Sequence, residues 1–98
     1  MGKSKAIVMK AADNVATAVE DLPAGYEVSF TVNGETAALL LQDNIPFGHK
    51  FAISPIKQAA RVMKYGEPIG AASENIEAGR HVHVHNMIGL RGRGDLQA

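Results

Sequence analysis

One short phrase recurs along this chain and limits how it can fold: an aliphatic residue, two of any kind, glycine, two more, then an apolar residue. It reads LPAGYEV at 22–28, IPFGHKF at 45–51 and IEAGRHV at 76–82, and a fourth copy, IKQAARV at 56–62, has Ala59 in place of glycine. The chemistry is that of a β-turn, with proline at its second position in two copies and glycine at its fourth. An apolar residue on each side anchors the turn to a core. The copies are 23, 11 and 20 residues apart, too uneven for a solenoid, which stacks a fixed period. A compact fold that reuses one kind of corner is expected.

Between the corners the pattern is that of short strands. In YEVSFTV, Val28, Phe30 and Val32 fall on one face and Glu27, Ser29 and Thr31 on the other. Asn33-Gly34 follows, a strong hairpin signal because both residues tolerate positive φ, and TAALLLQ is the returning strand. KAIVMK, NVATAV, KFAIS, RVMKY and RHVHVHN are further strand candidates. A helical turn or two is allowed only over 54–66, with Ser54 as cap, Pro55 at the first helical position and Gly66 as stop. The class is mainly β.

With 98 residues, 46% of them apolar, the chain makes one packed domain. Lysine plus arginine equal aspartate plus glutamate, ten against ten, so there is no footprint for nucleic acid or an anionic membrane. The chain has no cysteine, which excludes disulfides and thiolate metal sites. No apolar run approaches membrane-spanning length and residues 1–10 lack a signal peptide's apolar stretch, so the cytoplasm is the expected location.

The chemistry concentrates in HVHVHN at 81–86. On a continuous strand His81, His83 and His85 share one face, while Val82 and Val84 face the core. Same-face neighbours are then about 6.6–7 Å apart and the outer pair about 13 Å, so at most one adjacent pair can share an ion. His49, in PFGHK, is the internal candidate for a further ligand. Zinc asks for three or four ligands, whereas iron or manganese also accepts carboxylates and water. Proton transfer near neutral pH is histidine's other use, and a strand with one wet face shows the same alternation. Arg91 and Arg93 in the glycine-rich ending RGRGDLQA carry guanidinium forks suited to carboxylates and phosphates. The chain shows neither a phosphate-cradling glycine loop nor a nucleophile elbow.

Taken in order, DNVATAVEDLPAG, DNIPFGHKFAI, VMKYGEPIG and IEAGRHVHVHN, followed by RGRGDL, resemble the small SAF-type domain of the altronate dehydratase family, from about Asp13 to Leu96. The resemblance implies a β-clip fold of short bent strands, related to the antifreeze-like domain of sialic acid synthases. It divides the chain into a lead-in strand over 1–12, the SAF domain over 13–88 and a Gly/Arg-rich tail over 89–98. It implies a small subunit or N-terminal domain of a sugar-acid hydro-lyase that converts an aldonate to a 2-keto-3-deoxy acid and water. The expected partner is a large dehydratase subunit, with Fe2+ or Mn2+ shared between them, and self-association is a further expectation. His83 and His85 are then the catalytic candidates, His49, His81 and His83 the metal ligands, and Lys50, Arg91 and Arg93 the groups for the substrate. A related small subunit belongs to sulfolactate sulfo-lyase. A non-catalytic β-clip module that binds a sugar acid or a protein is the competing class. Ala59 departs from the glycine of similar chains, and its corner is expected to be reshaped, a helical turn included.

Overall fold

The computed structural model describes residues 5–89, and Arg91, Arg93 and the rest of the tail lie outside them. Among the described residues there are nine strands and no helix. They are β1 (Ala6–Ile7), β2 (Val15–Ala18), β3 (Glu27–Val32), β4 (Glu35–Leu40), β5 (Lys50–Ala52), β6 (Arg61–Lys64), β7 (Glu67–Ala72), β8 (His81–Val82) and β9 (Met87–Gly89). A central antiparallel sheet runs β1-β2-β5-β8, flanked by the hairpin β3-β4 and the sheet β6-β7-β9. The architecture is that of a small all-β domain of short antiparallel strands, as a β-clip requires.

The corners do what their sequence demands, with one correction in register. Each is closed by a backbone bond from the residue after the glycine position to the carbonyl three residues before it: Tyr26 to Pro23, His49 to Pro46, Ala60 to Lys57 and Arg80 to Glu77. Glycine is therefore third in the turn, not fourth, and φ is positive there: 86° at Gly25, 84° at Gly48 and 90° at Gly79. Positive φ at the third residue alone is the type II pattern. Ala59 adopts 75° as well, so the fourth corner keeps its shape without glycine and the expected helical turn over 54–66 does not form. All eight flanking anchors, Leu22, Val28, Ile45, Phe51, Ile56, Val62, Ile76 and Val82, are 3% exposed or less.

The corners also pair with one another. Leu22 and Ile45 exchange backbone bonds of 2.8 and 2.7 Å, and Ile56 and Ile76 do the same at 2.8 and 2.7 Å. An acidic or amide side chain just before the anchor caps the facing corner. Asp21 accepts from the Phe47 N–H, Asn44 from the Ala24 N–H and Asn75 from the Gln58 N–H, each at 2.8 Å. Pro55 occupies the fourth such place and has no oxygen to offer.

These pairs organise two cores, one on each face of the central sheet. Ala16, Ala18 and Phe51 face the core built from Leu22, Ile45, Val28, Phe30 and Leu41. Val15, Ala52 and Val82 face the core of Ile56, Ile76, Val62 and Ala72. Alternation along a strand sends successive residues of β2 and β5 to opposite sides, so the Val15–Ala52 and Ala16–Phe51 pairs are apolar on both faces and only the Thr17–Lys50 pair is polar. The chain thus repeats one plan: corner, hairpin, corner, strand, over 22–52 and again over 56–82. The hairpin of the first copy turns at Asn33-Gly34 and that of the second at Tyr65-Gly66, all four residues at positive φ. That is the two-residue turn whose twist suits a hairpin.

Candidate functional site: a histidine cluster where the two repeats meet

Strand pairing assembles the site. The β5–β8 register sets Lys50 opposite Val82 and Phe51 opposite His81. Extending it one step places His49 opposite His83, and residues directly opposite share a face. His49, His81 and His83 are thereby gathered on the Phe51 side, at the β8 edge of the sheet. Their rings stack: 4.4 Å between the centroids of His49 and His83, 5.0 Å between His49 and His81, and 5.4 Å between His81 and His83. His49 Nδ1 and His81 Nε2 are 2.9 Å apart, a hydrogen bond in which one ring donates. One ligating nitrogen from each of the three lies within 4.8 Å of the others.

HVHVHN is not a continuous strand, which corrects two expectations. Strand β8 stops at Val82, and residues 83–86 form a turn. The His81 and His85 rings are therefore 5.3 Å apart, not about 13 Å. Val84 does not join Val82 in the core but is 79% exposed. The cause is Asn86, 3% exposed, which takes the place of a strand partner. Its Nδ2 donates to the His81 carbonyl at 2.8 Å, its Oδ1 accepts from the His83 N–H at 2.9 Å, and its own N–H reaches the His83 carbonyl at 3.1 Å. Asp43 holds the other end, accepting from the His81 N–H at 3.0 Å while its second oxygen pairs with Arg80 at 3.2 Å. Glu77 and Arg80 complete this wall at 3.6 Å. A polar cavity of about 480 Å³ opens beside it, with His85 and Asn86 in its lining.

Crowding sets the charge of the cluster. Burial, then the proximity of His49, His85 and His83, pushes His81 down to about 4 against the opposing pull of Asp43. His83 is lowered as well, first by burial, then by His49, Lys50 and His85. Both are neutral at pH 7, the form that ligates a metal or accepts a proton. Lys50 is lowered mainly by burial, then by Lys64. It shares the Val82 face, opposite the trio, yet its charge still reaches His83.

Of the sequence candidates, then, His49, His81, His83 and His85 meet, Lys50 borders them from behind, and Arg91 and Arg93 lie outside the described residues. Sequence alone does not single out Asp43 or Asn86. Only Asn86 left a trace there, as the polar residue that breaks the alternation.

A domain of paired glycine corners that presents imidazoles at one sheet edge belongs to the β-clip class of SAF-type domains. The family model for the altronate/galactarate dehydratase SAF domain matches residues 4–89, and the chain belongs to that family. Its relatives include altronate dehydratase of Escherichia coli, 49% identical over 80 residues, and that of Bacillus subtilis, 39% identical over 74. The match covers 82% and 76% of this chain but only 15% and 14% of those proteins. The (2R)-sulfolactate sulfo-lyase subunit alpha of Chromohalobacter salexigens is 38% identical over 71 residues, which is 70% of this chain and 76% of that one. No helix among the described residues is long and apolar enough to cross a membrane.

Proposed function

We propose that this domain is the small SAF component, free subunit or N-terminal domain, of a sugar-acid hydro-lyase, and that its histidine edge completes an active site on a larger catalytic part. One observation carries the reading. Three imidazole nitrogens from chain-distant segments converge within 4.8 Å in a member of a dehydratase domain family.

The donor set fits a divalent cation: three imidazole nitrogens, those of His81 and His83 held neutral by burial and mutual proximity. His49, His81 and His83 would hold it, and Fe2+ or Mn2+, either of which takes its remaining ligands from carboxylates or water, is the assignment that the family resemblance implies. When bound, such an ion supplies stabilisation of the negative charge that develops as an aldonate loses the proton beside its carboxylate. This chain's own residues do the rest. Of the two proton-carrier candidates, His83 is taken up when it serves as a ligand, so exposed His85, whose ring neighbours His81, takes the proton beside the carboxylate and, so charged, hands it to the departing hydroxide, which leaves as water. Asp43 and Asn86 hold the backbone on which the rings are mounted. Arg91 and Arg93 supply cations for the substrate's carboxylate, while Lys50, on the opposite face of the sheet, acts only through its charge.

The test is reconstitution with the large dehydratase chain of the same organism and an assay of 2-keto-3-deoxy acid formation from a panel of aldonates. The complex should turn over, lose activity to a chelator, and fall about 100-fold or more with His83→Ala and His85→Ala combined. Full activity in that double variant overturns the reading. Similarity to a sulfo-lyase subunit supports a second reading, and sulfite release from (2R)-sulfolactate in the same assay would favour it. Sugar-acid binding without turnover, indifferent to chelation, would point to a binding module.

A further inference from the structure

Two large apolar side chains stand out in water more than any others among the described residues: Val84, 79% exposed, and Phe47, 67% exposed. Both flank the histidine cluster. Val84 lies between His83 and His85, and Phe47 is two residues before His49, whose ring is 4.4 Å from that of His83. Neither is displayed by a loose segment. Asn86 pins the Val84 turn by three hydrogen bonds, and the Phe47 N–H is held by Asp21 at 2.8 Å. A rigid turn that holds a valine outward, beside three imidazoles, is a surface built to be covered.

The cluster itself says what covers it. Its donors are three nitrogens with no carboxylate among them. The nearest acid, Asp43, has both oxygens engaged, one by the His81 N–H and one by Arg80. The trio therefore offers a cation no carboxylate of its own, although Asp43, Glu74 and Glu77 line the cavity on the His85 side, and its flanks are apolar; a partner that brings carboxylate ligands and an apolar seat complements it. The chain also spans only 15% of the altronate dehydratase it resembles, and another relative is by name a subunit.

We infer that Phe47 and Val84 are the apolar anchors by which the histidine edge seats on the large catalytic chain, against a patch of that chain that carries carboxylates. The inference rests on the proposed function and adds which face of the domain docks. Burying such residues at the centre of an interface while excluding water from charged neighbours is how a few side chains dominate association.

The experiment measures association of this chain with the large dehydratase chain of the same organism by titration calorimetry, for the wild type, for Phe47→Ser with Val84→Ser, and for Ile7→Ser with Met9→Ser. The last pair is also exposed but belongs to the β1 end, the opposite edge of the central sheet. Cobalt(II) titration of each chain alone, followed by its visible spectrum, reports whether the imidazoles remain assembled. The expected result is a Kd raised at least tenfold by the Phe47/Val84 change, a shift under twofold for the control, and unchanged cobalt binding in both. A Phe47/Val84 variant that binds the large chain like wild type, with cobalt binding intact, overturns the inference and leaves the proposed function standing. A wild-type chain that shows no association overturns the proposed function and the inference with it. If sedimentation shows a wild-type homodimer that the Phe47/Val84 change dissociates while the large chain still binds, the patch serves a second copy and the inference falls.

Discussion

Ala59 holds φ at 75°, a conformation that costs an L-residue roughly 1–2 kcal/mol because its Cβ crowds the neighbouring carbonyl. Its three counterparts avoid that cost with glycine. Ala59→Gly is accordingly expected to stabilise the chain, by about 1 kcal/mol once the greater freedom of unfolded glycine is deducted, as urea denaturation would show. Asn86→Ala goes the other way. It strands the His81 carbonyl and the His83 N–H in a half-buried turn, a loss of about 1–2 kcal/mol for such groups, and cobalt(II) affinity should fall with it because the ring positions depend on that turn. The pH dependence follows from His81. Its folded value of about 4 lies below the ordinary 6.5, so between those values the unfolded chain binds more protons. Stability should therefore fall as pH is lowered from 6.5 to about 4, and level off for this group beyond. His81→Gln should flatten that stretch of the denaturation-against-pH curve.

The elements that could be read from sequence are those whose signals are local. Asn33-Gly34 and the alternation of Val28 and Phe30 declare β3 and its turn without help from elsewhere. Strand β7 is not legible in the sequence because EPIGAA carries proline and glycine, both poor strand formers, and because Tyr65-Gly66 lacks the asparagine that usually marks such a turn. The glycine has a reason that lies outside its own strand. A Cβ at Gly70 would sit 2.5 Å from the Ile88 carbonyl and 2.7 Å from Met87 Cγ, so β9 can lie against β7 only if nothing projects there. Gly70→Ala should displace β9 and cost about 1–3 kcal/mol, with amide exchange accelerated at Met87–Gly89 well before the central sheet is affected. The end of β8 was illegible for a similar reason. A strand-like alternation is cut short by the side chain of Asn86, and only the folded turn shows that His81 and His85 approach one another.

At the scale of the molecule, the corner phrase was readable but its use in facing pairs was not, since Leu22 meets Ile45 and Ile56 meets Ile76 only through tertiary structure. The same holds for the histidines: the β5–β8 register, joining the first repeat to the second, is what carries His49 to His83. A cation held by His49, His81 and His83 would tie the two repeats together. Mn2+ or cobalt(II) at about a hundredfold over its Kd should add about 2.7 kcal/mol to the unfolding free energy, reversed by a chelator and absent in His49→Ala. The position of the cluster on the seam between repeats has a temporal consequence as well. Neither half owns a complete set of imidazoles, so a nascent chain cannot capture an ion while only its first half has taken shape. For a chain that binds a cation there, loading would be the closing event of maturation, and an occupied site would certify that both halves have docked.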